Sequence, residues 1–209
     1  MRTGILAGFV LCALPSLAAG QNFEITPMAG YRFGGTLYSF RTTVGGVPTA
    51  ALEVADSAAF GVHLGYKFGE FEFEALYARQ EAGLETPGLF TGAPVMDLTL
   101  DTFQGGGNYL FATKNAKVVP FIGFGLGFTI LKPERRDLTD ETRFSASFAG
   151  GAKFWLGKNV GLRVEGRYFL TVFDDEVDHP CGPNVDCDDH RNSRDLSQGE
   201  ARAGLILRF

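Results

Sequence analysis

The sequence predicts an all-β fold in which eight antiparallel strands close into an up-and-down barrel. Two observations predict it: segments with apolar residues at every second position recur along the chain, and their connections alternate between short and long. The composition agrees, since Phe (20) and Gly (28) are frequent in 209 residues whereas Met (3) and Trp (1) are scarce. Strands favour aromatic residues, and glycine within them permits close backbone approach.

The C-terminal segment, residues 198–209, shows the alternation most simply. One of its faces is wholly apolar and consists of Ala201, Ala203, Leu205, Leu207 and Phe209. The other face consists of Gln198, Glu200, Arg202, Gly204 and Ile206. A period of two is typical of a half-buried strand and not of a helix.

Seven earlier segments alternate in the same way. We expect strands at about 23–33, 60–68, 70–78, 101–111, 121–130, 144–154 and 162–172. Short turns follow the second, fourth and sixth strands, at Gly69, 113–116 and 157–159. Long connections follow the other four, at about 34–57, 83–100, 132–143 and 174–197. An even number of strands then places both termini at the short-turn rim.

Two prolines interrupt this pattern. Pro27 and Pro120 lie inside the first and fifth segments. A closed barrel has no free edge at which a missing N–H is harmless. We therefore expect a bulge or a late strand start at each proline.

Residues 1–20 have the features of a secretory signal peptide. Arg2 precedes an apolar run at 5–14, and the small residues around 16–18 suit cleavage. The run is shorter than the ~20 residues of a spanning helix. We expect a mature domain of residues 21–209. Its two cysteines, Cys181 and Cys187, are an even number in an exported chain, which predicts a local disulfide.

Alternation alone does not say which face points inward, and a soluble lipocalin-type barrel would place the apolar face inside. The first feature that favours an apolar exterior is the balance of charge on the polar face. Its acids are Glu24, Glu70, Glu72, Glu74, Glu165 and Glu200. Its bases are Arg32, Lys67, Lys153, Arg163, Arg167 and Arg202. An enclosed interior requires such pairing, although a mixed solvated surface would give a similar tally.

Two further features favour the same orientation. Gly123, Gly125 and Gly127 lie on the polar face, where they would leave room for long side chains in a narrow eight-stranded interior. Aromatic residues lie at strand ends on the apolar face, as at the interfaces of a bilayer: Tyr31, Phe33, Tyr66, Phe68, Tyr109 and Phe111. We therefore predict a transmembrane barrel. Arg79, on the apolar face, would lie near the long-connection end at the level of lipid headgroups.

With this orientation the chain resembles the small bacterial outer-membrane β-barrels, a family that includes OmpA-type transmembrane domains and OmpX-like and OmpW-like proteins. The resemblance rests on residues 1–20, the eight alternating segments, the alternating connections and the terminal Leu207-Arg208-Phe209. It implies location in the bacterial outer membrane, a monomer with periplasmic termini, and contact with outer-membrane lipid and lipopolysaccharide. It also implies that Phe209 is an assembly signal for the barrel-assembly machinery.

The connection at 174–197 has the most unusual composition. Its acids are Asp174, Asp175, Glu176, Asp178, Asp186, Asp188, Asp189 and Asp195. It could bind divalent cations loosely, but it lacks the ligand spacing of an EF-hand, and a solvated acidic loop is the simpler explanation. His179 beside Asp174 or Asp175 could form a dyad, yet nothing positions a nucleophile. We expect no enzyme, no cofactor and no defined metal site.

The polar face suggests the function. We expect an ion-pair network across the lumen, formed by Glu72, Glu74, Arg163, Glu165, Arg167, Glu200 and Arg202. Such a network would plug the barrel and leave a structural or interaction role, with the long loops contacting a surface ligand. A small pore or OmpW-like conduit for a small solute is the alternative, and a lipid- or peptide-processing enzyme is a third possibility. His63 is interpreted as a hydrogen-bonded lumen residue, and no basic face suits nucleic acid.

Overall fold

The computed structural model describes residues 22–40, 50–85, 96–111, 116–134, 140–172 and 195–209. These ranges contain strands β1 (Phe23–Phe33), β2 (Thr36–Phe40), β3 (Ala50–Val54), β4 (Ser57–Phe68), β5 (Phe71–Glu85), β6 (Met96–Leu110), β7 (Val118–Pro133), β8 (Glu141–Trp155), β9 (Val160–Val172) and β10 (Asp195–Arg208). Within those residues, the search for a helix of membrane-spanning length and hydrophobicity finds none.

Eight of these strands form a closed antiparallel barrel. β1 pairs with β4, and each later strand pairs with the next along the chain up to β10. β10 then pairs with β1, where Tyr31 lies opposite Ala201, so the sheet closes on itself. Gly69, with a φ of +64°, allows the tight turn between β4 and β5. The predicted fold class is confirmed.

The described strands extend further into the long connections than the alternation predicts. β5 continues to Glu85 and β7 continues to Pro133, while β6 begins at Met96 and β8 begins at Glu141. The predicted 34–57 loop contains β2 and β3, which pair with each other, and β3 pairs with the end of β5. Backbone pairing continues here although the apolar alternation ends, because polar side chains are tolerated on both faces outside a lipid core.

The expectation of a bulge or a late strand start at each proline is wrong, since β1 begins at Phe23 and β7 at Val118. Pro27 lies opposite Val62 of β4 and Pro120 opposite Ala152 of β8, with the registers continuous at both positions. The ladder between β1 and β10 has no pair at Pro27, where its missing N–H faces β10. Pro120 lies near the start of β7, and its carbonyl still accepts a hydrogen bond from Phe111 N. The missing N–H of Pro27 thus interrupts one ladder without shifting it, and Pro120 lies just beyond the end of the ladder between β6 and β7.

The apolar face points outward. Phe148 and Phe68 on the outer surface are each 71% exposed, whereas Arg163 inside is 0% exposed. Gly125 lies on the inner wall, where an added Cβ would approach Arg167 Nη1 to 3.3 Å. Gly125 thus leaves room for a long charged side chain, whereas an added Cβ would meet the Asn108 amide at Gly123 and the backbone of Phe103 at Gly127.

Candidate functional site, the charged barrel interior

The interior of the barrel is layered along its axis. At the short-turn end lies an apolar cluster formed by Leu110, Val119 and Phe121, with Ala116 and Trp155 packed against it. At the long-connection end lies a second apolar cluster, formed by Val54, Ala82, Leu98, Leu100, Leu131 and Leu196. Most of the polar side chains of the lumen lie between these two clusters.

The layer next to the short-turn cluster is built around Lys153. Its ammonium group on β8 donates to Glu24 Oε2 of β1 at 2.7 Å and contacts Glu72 of β5. Glu24 also accepts from Arg208 Nη2 at 2.8 Å. The Arg163 guanidinium lies 4.1 Å from the centre of the Phe121 ring, which links the charged layer to the apolar cluster below it.

The centre of the interior is a carboxylate surrounded by guanidinium groups. Glu165 accepts from Arg163 Nε at 2.7 Å, from Arg167 Nε at 2.7 Å and from Arg202 Nε at 3.0 Å. We call these four residues the Glu165 cluster. Glu74 balances it, with Oε1 2.5 Å from Arg167 Nη2. Since all four residues are buried, removing the carboxylate would leave three close guanidinium groups without their shared partner in a medium of low dielectric constant, and Glu72, Glu74 and Glu200 would have to balance them.

Further toward the long connections, Arg32 of β1 donates to Glu200 Oε2 at 2.8 Å. Its guanidinium also lies 4.2 Å from the centre of the Phe169 ring. Glu200 Oε1 is 3.7 Å from Arg202 Nη1, which joins this pair to the Glu165 cluster. One chain of ion pairs therefore runs along the lumen.

Hydrogen bonds between neutral side chains fill the space between these charges and the apolar cluster at the long-connection end. Gln104 Nε2 donates to Ser145 Oγ at 2.8 Å, and Gln104 Oε1 accepts from Ser147 Oγ at 2.6 Å. Gln198 Nε2 donates to Gln80 Oε1 at 3.2 Å. Gln104 of β6 thus reaches past the glycines of β7 to β8, and Gln198 of β10 reaches Gln80 of β5.

His63 of β4 is completely buried in this network. Its Nε2 lies 3.0 Å from Glu74 Oε2 and 3.7 Å from Glu72 Oε1, while its Nδ1 has no hydrogen-bond partner. Asn108 holds the same two carboxylates from β6, donating through Nδ2 to Glu74 at 2.8 Å and to Glu72 at 3.1 Å. The structure therefore places His63 as a lumen residue hydrogen-bonded to an acid.

The structure brings together the seven residues expected in the lumen network, and it adds others. The network also includes lumen residues that the sequence analysis placed on the polar face or in the lumen without assigning them to the network: Glu24, Arg32, Lys153 and His63. Asn108, which has the inward parity of β6, is a further member. The tally of six acids and six bases needs correction, because Glu70 lies exposed in a turn and Lys67 is only half-buried.

Several expectations concern residues outside the described ranges. These are the signal peptide at 1–20, the disulfide between Cys181 and Cys187, and His179 of the suggested dyad. Of the acidic connection, only 195–197 are described, and they begin β10. Phe209 is described, and its N donates to Phe23 O at 2.9 Å. Its role as an assembly signal stays a prediction.

Solved structures with the same fold are outer-membrane barrels. Neisserial surface protein A has a TM-score of 0.61 at 17% identity, with 90% of this chain and 97% of that chain covered. OprG of Pseudomonas aeruginosa has a TM-score of 0.58 at 11% identity, with 90% and 95% covered. AlkL, solved in DMPC bilayers, has a TM-score of 0.58 at 13% identity, with 100% and 97% covered. Such low identities show the fold alone.

Comparison with curated protein sequences finds no match. The family model described as "Outer membrane protein beta-barrel domain" matches residues 4–209, which is nearly the whole chain. The outward apolar face and the buried ion pairs are what a barrel in a bilayer requires. The protein therefore belongs to the outer membrane protein beta-barrel domain family and is a β-barrel of the bacterial outer membrane.

Proposed function

We propose that this barrel conducts no solute and has a structural or interaction role at the cell surface. The observation that carries the proposal is the occupied lumen, in which ion pairs from opposite walls meet between two apolar clusters. A solute path would have to separate these pairs.

The charge balance of the lumen supports a plug. Five buried glutamates, Glu24, Glu72, Glu74, Glu165 and Glu200, are matched among the described residues by five buried cations: Arg32, Lys153, Arg163, Arg167 and Arg202. Breaking a buried pair by removal of one partner costs about 3–5 kcal/mol. Pairs of this kind are poor gates, because opening one without compensation carries a similar cost.

The interior also supports a role without catalysis. His63 contacts Glu74, as a general base would contact its orienting acid, but its side chain is 0% exposed in the closed interior. A substrate in solution or in the membrane has no approach to that imidazole. The proposed contacts with partners instead involve the long connections.

The orientation of the barrel follows from its two rims. The start of β1 at Phe23, the end of β10 at Arg208 and the Gly69 turn lie on one rim, and the extended ends of β5, β6 and β7 lie on the other. In bacterial barrels short turns are periplasmic and long loops face outward. We therefore propose periplasmic termini, a monomeric barrel, and a surface ligand that contacts the long connections.

Planar-bilayer conductance tests the plug. The wild-type protein should show no steady openings. A triple variant should conduct because three lumen side chains are shortened: Glu165→Ala, Arg167→Ala and Arg202→Ala. These substitutions together change the net charge of the lumen by only one. Replacement of three lipid-facing residues, Leu162→Ala, Val164→Ala and Leu205→Ala, is the matched control. Gel mobility of unboiled and boiled samples checks that each variant has folded. Steady wild-type openings would support a small-solute conduit instead.

A further inference from the structure

A second group of charges lies on the outer surface, where a barrel in a membrane faces lipid. Arg79 of β5 lies opposite Asp101 of β6, and Asp101 lies opposite Ile130 of β7, two residues before Lys132 on the same face. We call Tyr77, Arg79, Asp101 and Lys132 the Asp101 cluster. The plug does not involve it.

The carboxylate of this cluster is covered while its cations project outward. Asp101 Oδ1 accepts from Tyr77 OH at 2.9 Å, and Oδ2 accepts from Lys132 Nζ at 2.9 Å. The Asp101 side chain is only 5% exposed, whereas those of Lys132 and Arg79 are 41% and 47% exposed. Arg79 also pairs with Glu81 at 3.0 Å, but the Glu81 side chain is 72% exposed, and pairs so well solvated are weak and exchangeable.

The Asp101 cluster lies at the height expected for the bilayer interface on the long-connection side of the barrel. Eight residues separate Phe71 at the short-turn end of β5 from Arg79. At ~3.3 Å per residue and a tilt of ~40°, they span about 20 Å along the membrane normal, close to the ~25 Å height of the apolar band of such barrels. The cations therefore lie where acyl chains end and headgroups begin.

The outer surface is aromatic on the short-turn side of these two cations and polar on their long-connection side. On the short-turn side a row of aromatic rings crosses the same three strands, with centroids 4.9 Å apart for Tyr77 and Phe103 and 5.4 Å apart for Phe103 and Phe128. On the long-connection side lies a cavity of about 370 Å³, and its polar lining consists of Arg79, Glu81, Asp97, Thr99 and Glu134. Carboxylate and hydroxyl oxygens accept hydrogen bonds from hydroxyl groups.

We propose that the Asp101 cluster binds a phosphorylated glycolipid of the outer leaflet. The phosphate contacts Arg79 and Lys132, the sugar hydroxyls donate to the acids of the cavity, and the acyl chains lie on the Tyr77–Phe103–Phe128 row. A phosphate needs cations that project from the wall, and a sugar needs acceptors beside them, so this chemistry accounts for cations and acids in one place. The choice of outer leaflet rests on the proposed orientation of the barrel.

Native mass spectrometry of the folded barrel in neutral detergent tests the proposal. Three lipids serve as probes: bisphosphorylated glucosamine-disaccharide lipid (lipid A), the same lipid without phosphates, and phosphatidylglycerol, which carries a phosphate without a sugar. We expect the wild-type protein to retain lipid A at least tenfold more strongly than either of the others. Equal retention of the dephosphorylated lipid would overturn the phosphate contact, and equal retention of phosphatidylglycerol would overturn the glycolipid assignment. Displacement of lipid A by millimolar inorganic phosphate would also overturn it.

The test variant is Arg79→Gln with Lys132→Gln, and it should lose at least tenfold in lipid A retention. If the unpaired Asp101 prevents folding, the variant that adds Asp101→Asn removes that charge and tests the same site. The matched control, Lys117→Gln with Lys158→Gln, makes the same change in charge at the short-turn rim and should retain lipid A as the wild type does. A folded site variant with wild-type retention would refute the proposal. Conductance is unaffected by this result, so failure of this site and failure of the plug are distinguishable.

Discussion

The two charged clusters of this barrel each place a carboxylate among cations, but one faces the lumen from β9 and β10 and the other faces outward from β5, β6 and β7. In the Glu165 cluster three arginines contact one glutamate inside the lumen, where all four side chains are buried. In the Asp101 cluster the carboxylate is covered, but Lys132 remains 41% exposed beside lipid. Enclosed cations can bind only the protein, whereas half-exposed cations can also bind a ligand. Burial therefore separates a structural cluster from a binding cluster of similar composition.

The largest expected effect comes from removing the central acid. Glu165→Ala leaves Arg163, Arg167 and Arg202 close together without their common partner, and we expect a loss of about 3–5 kcal/mol in the free energy of unfolding. Urea unfolding of the barrel in lipid vesicles, followed by gel mobility, measures it. Glu81→Ala, at a carboxylate 72% exposed, is the control and should leave the midpoint nearly unchanged. A loss no larger than that of the control would show that the lumen charges are solvated.

Overfilling the inner wall should have the next largest effect. An added Cβ at Gly125 would lie 3.0 Å from both Gln104 Oε1 and Ser147 Oγ, so Gly125→Val forces the packed polar layer apart. We expect a cost of about 1–3 kcal/mol in the free energy of unfolding. Gly105, where an added Cβ meets nothing closer than 4.0 Å, faces outward and provides the control Gly105→Val. Equal costs at the two positions would contradict the tight interior.

Neutralising the outer carboxylate should cost less than removing the inner one. Asp101→Asn weakens the hydrogen bonds from Tyr77 and Lys132, but Lys132 is partly solvated and finds water in exchange. We expect about 1 kcal/mol in the free energy of unfolding. The same urea titration measures it beside Glu165→Gln, which is also a change from acid to amide. A cost for Asp101→Asn that matches or exceeds that of Glu165→Gln would reverse the comparison between the clusters.

The smallest stability change is expected at Arg79. Its side chain is 47% exposed and its ion pair is with the exposed Glu81, so Arg79→Gln should leave the unfolding midpoint within the error of the measurement. Retention of lipid A should nevertheless fall for this single variant. Arg32→Gln, inside the lumen, should do the opposite and lower the midpoint without changing lipid retention. The same response for both variants would argue against separate roles for the two faces.

The strands and their two faces could be predicted from the sequence because a barrel wall has a period of two. Each position of β9 from Leu162 to Thr171, for example, lies on the face that its parity predicts. The alternation of short and long connections was sufficient to predict closure. The prediction of strand ends failed outside the lipid. There β2, β3 and the extended ends of β5 to β8 pair through their backbones, although their sequences show no apolar alternation.

The sequence by itself determined which residues face the lumen and that their charges nearly balance. Only the tertiary structure decided which charges meet, because the partners lie on strands far apart in the chain. Lys153 contacts Glu24 across 129 positions, and Arg163 contacts Glu72 across 91. Those contacts depend on the register offset between strands in the closed barrel and on the lengths of the side chains that cross the lumen. Neither quantity is encoded in the alternation of any single strand.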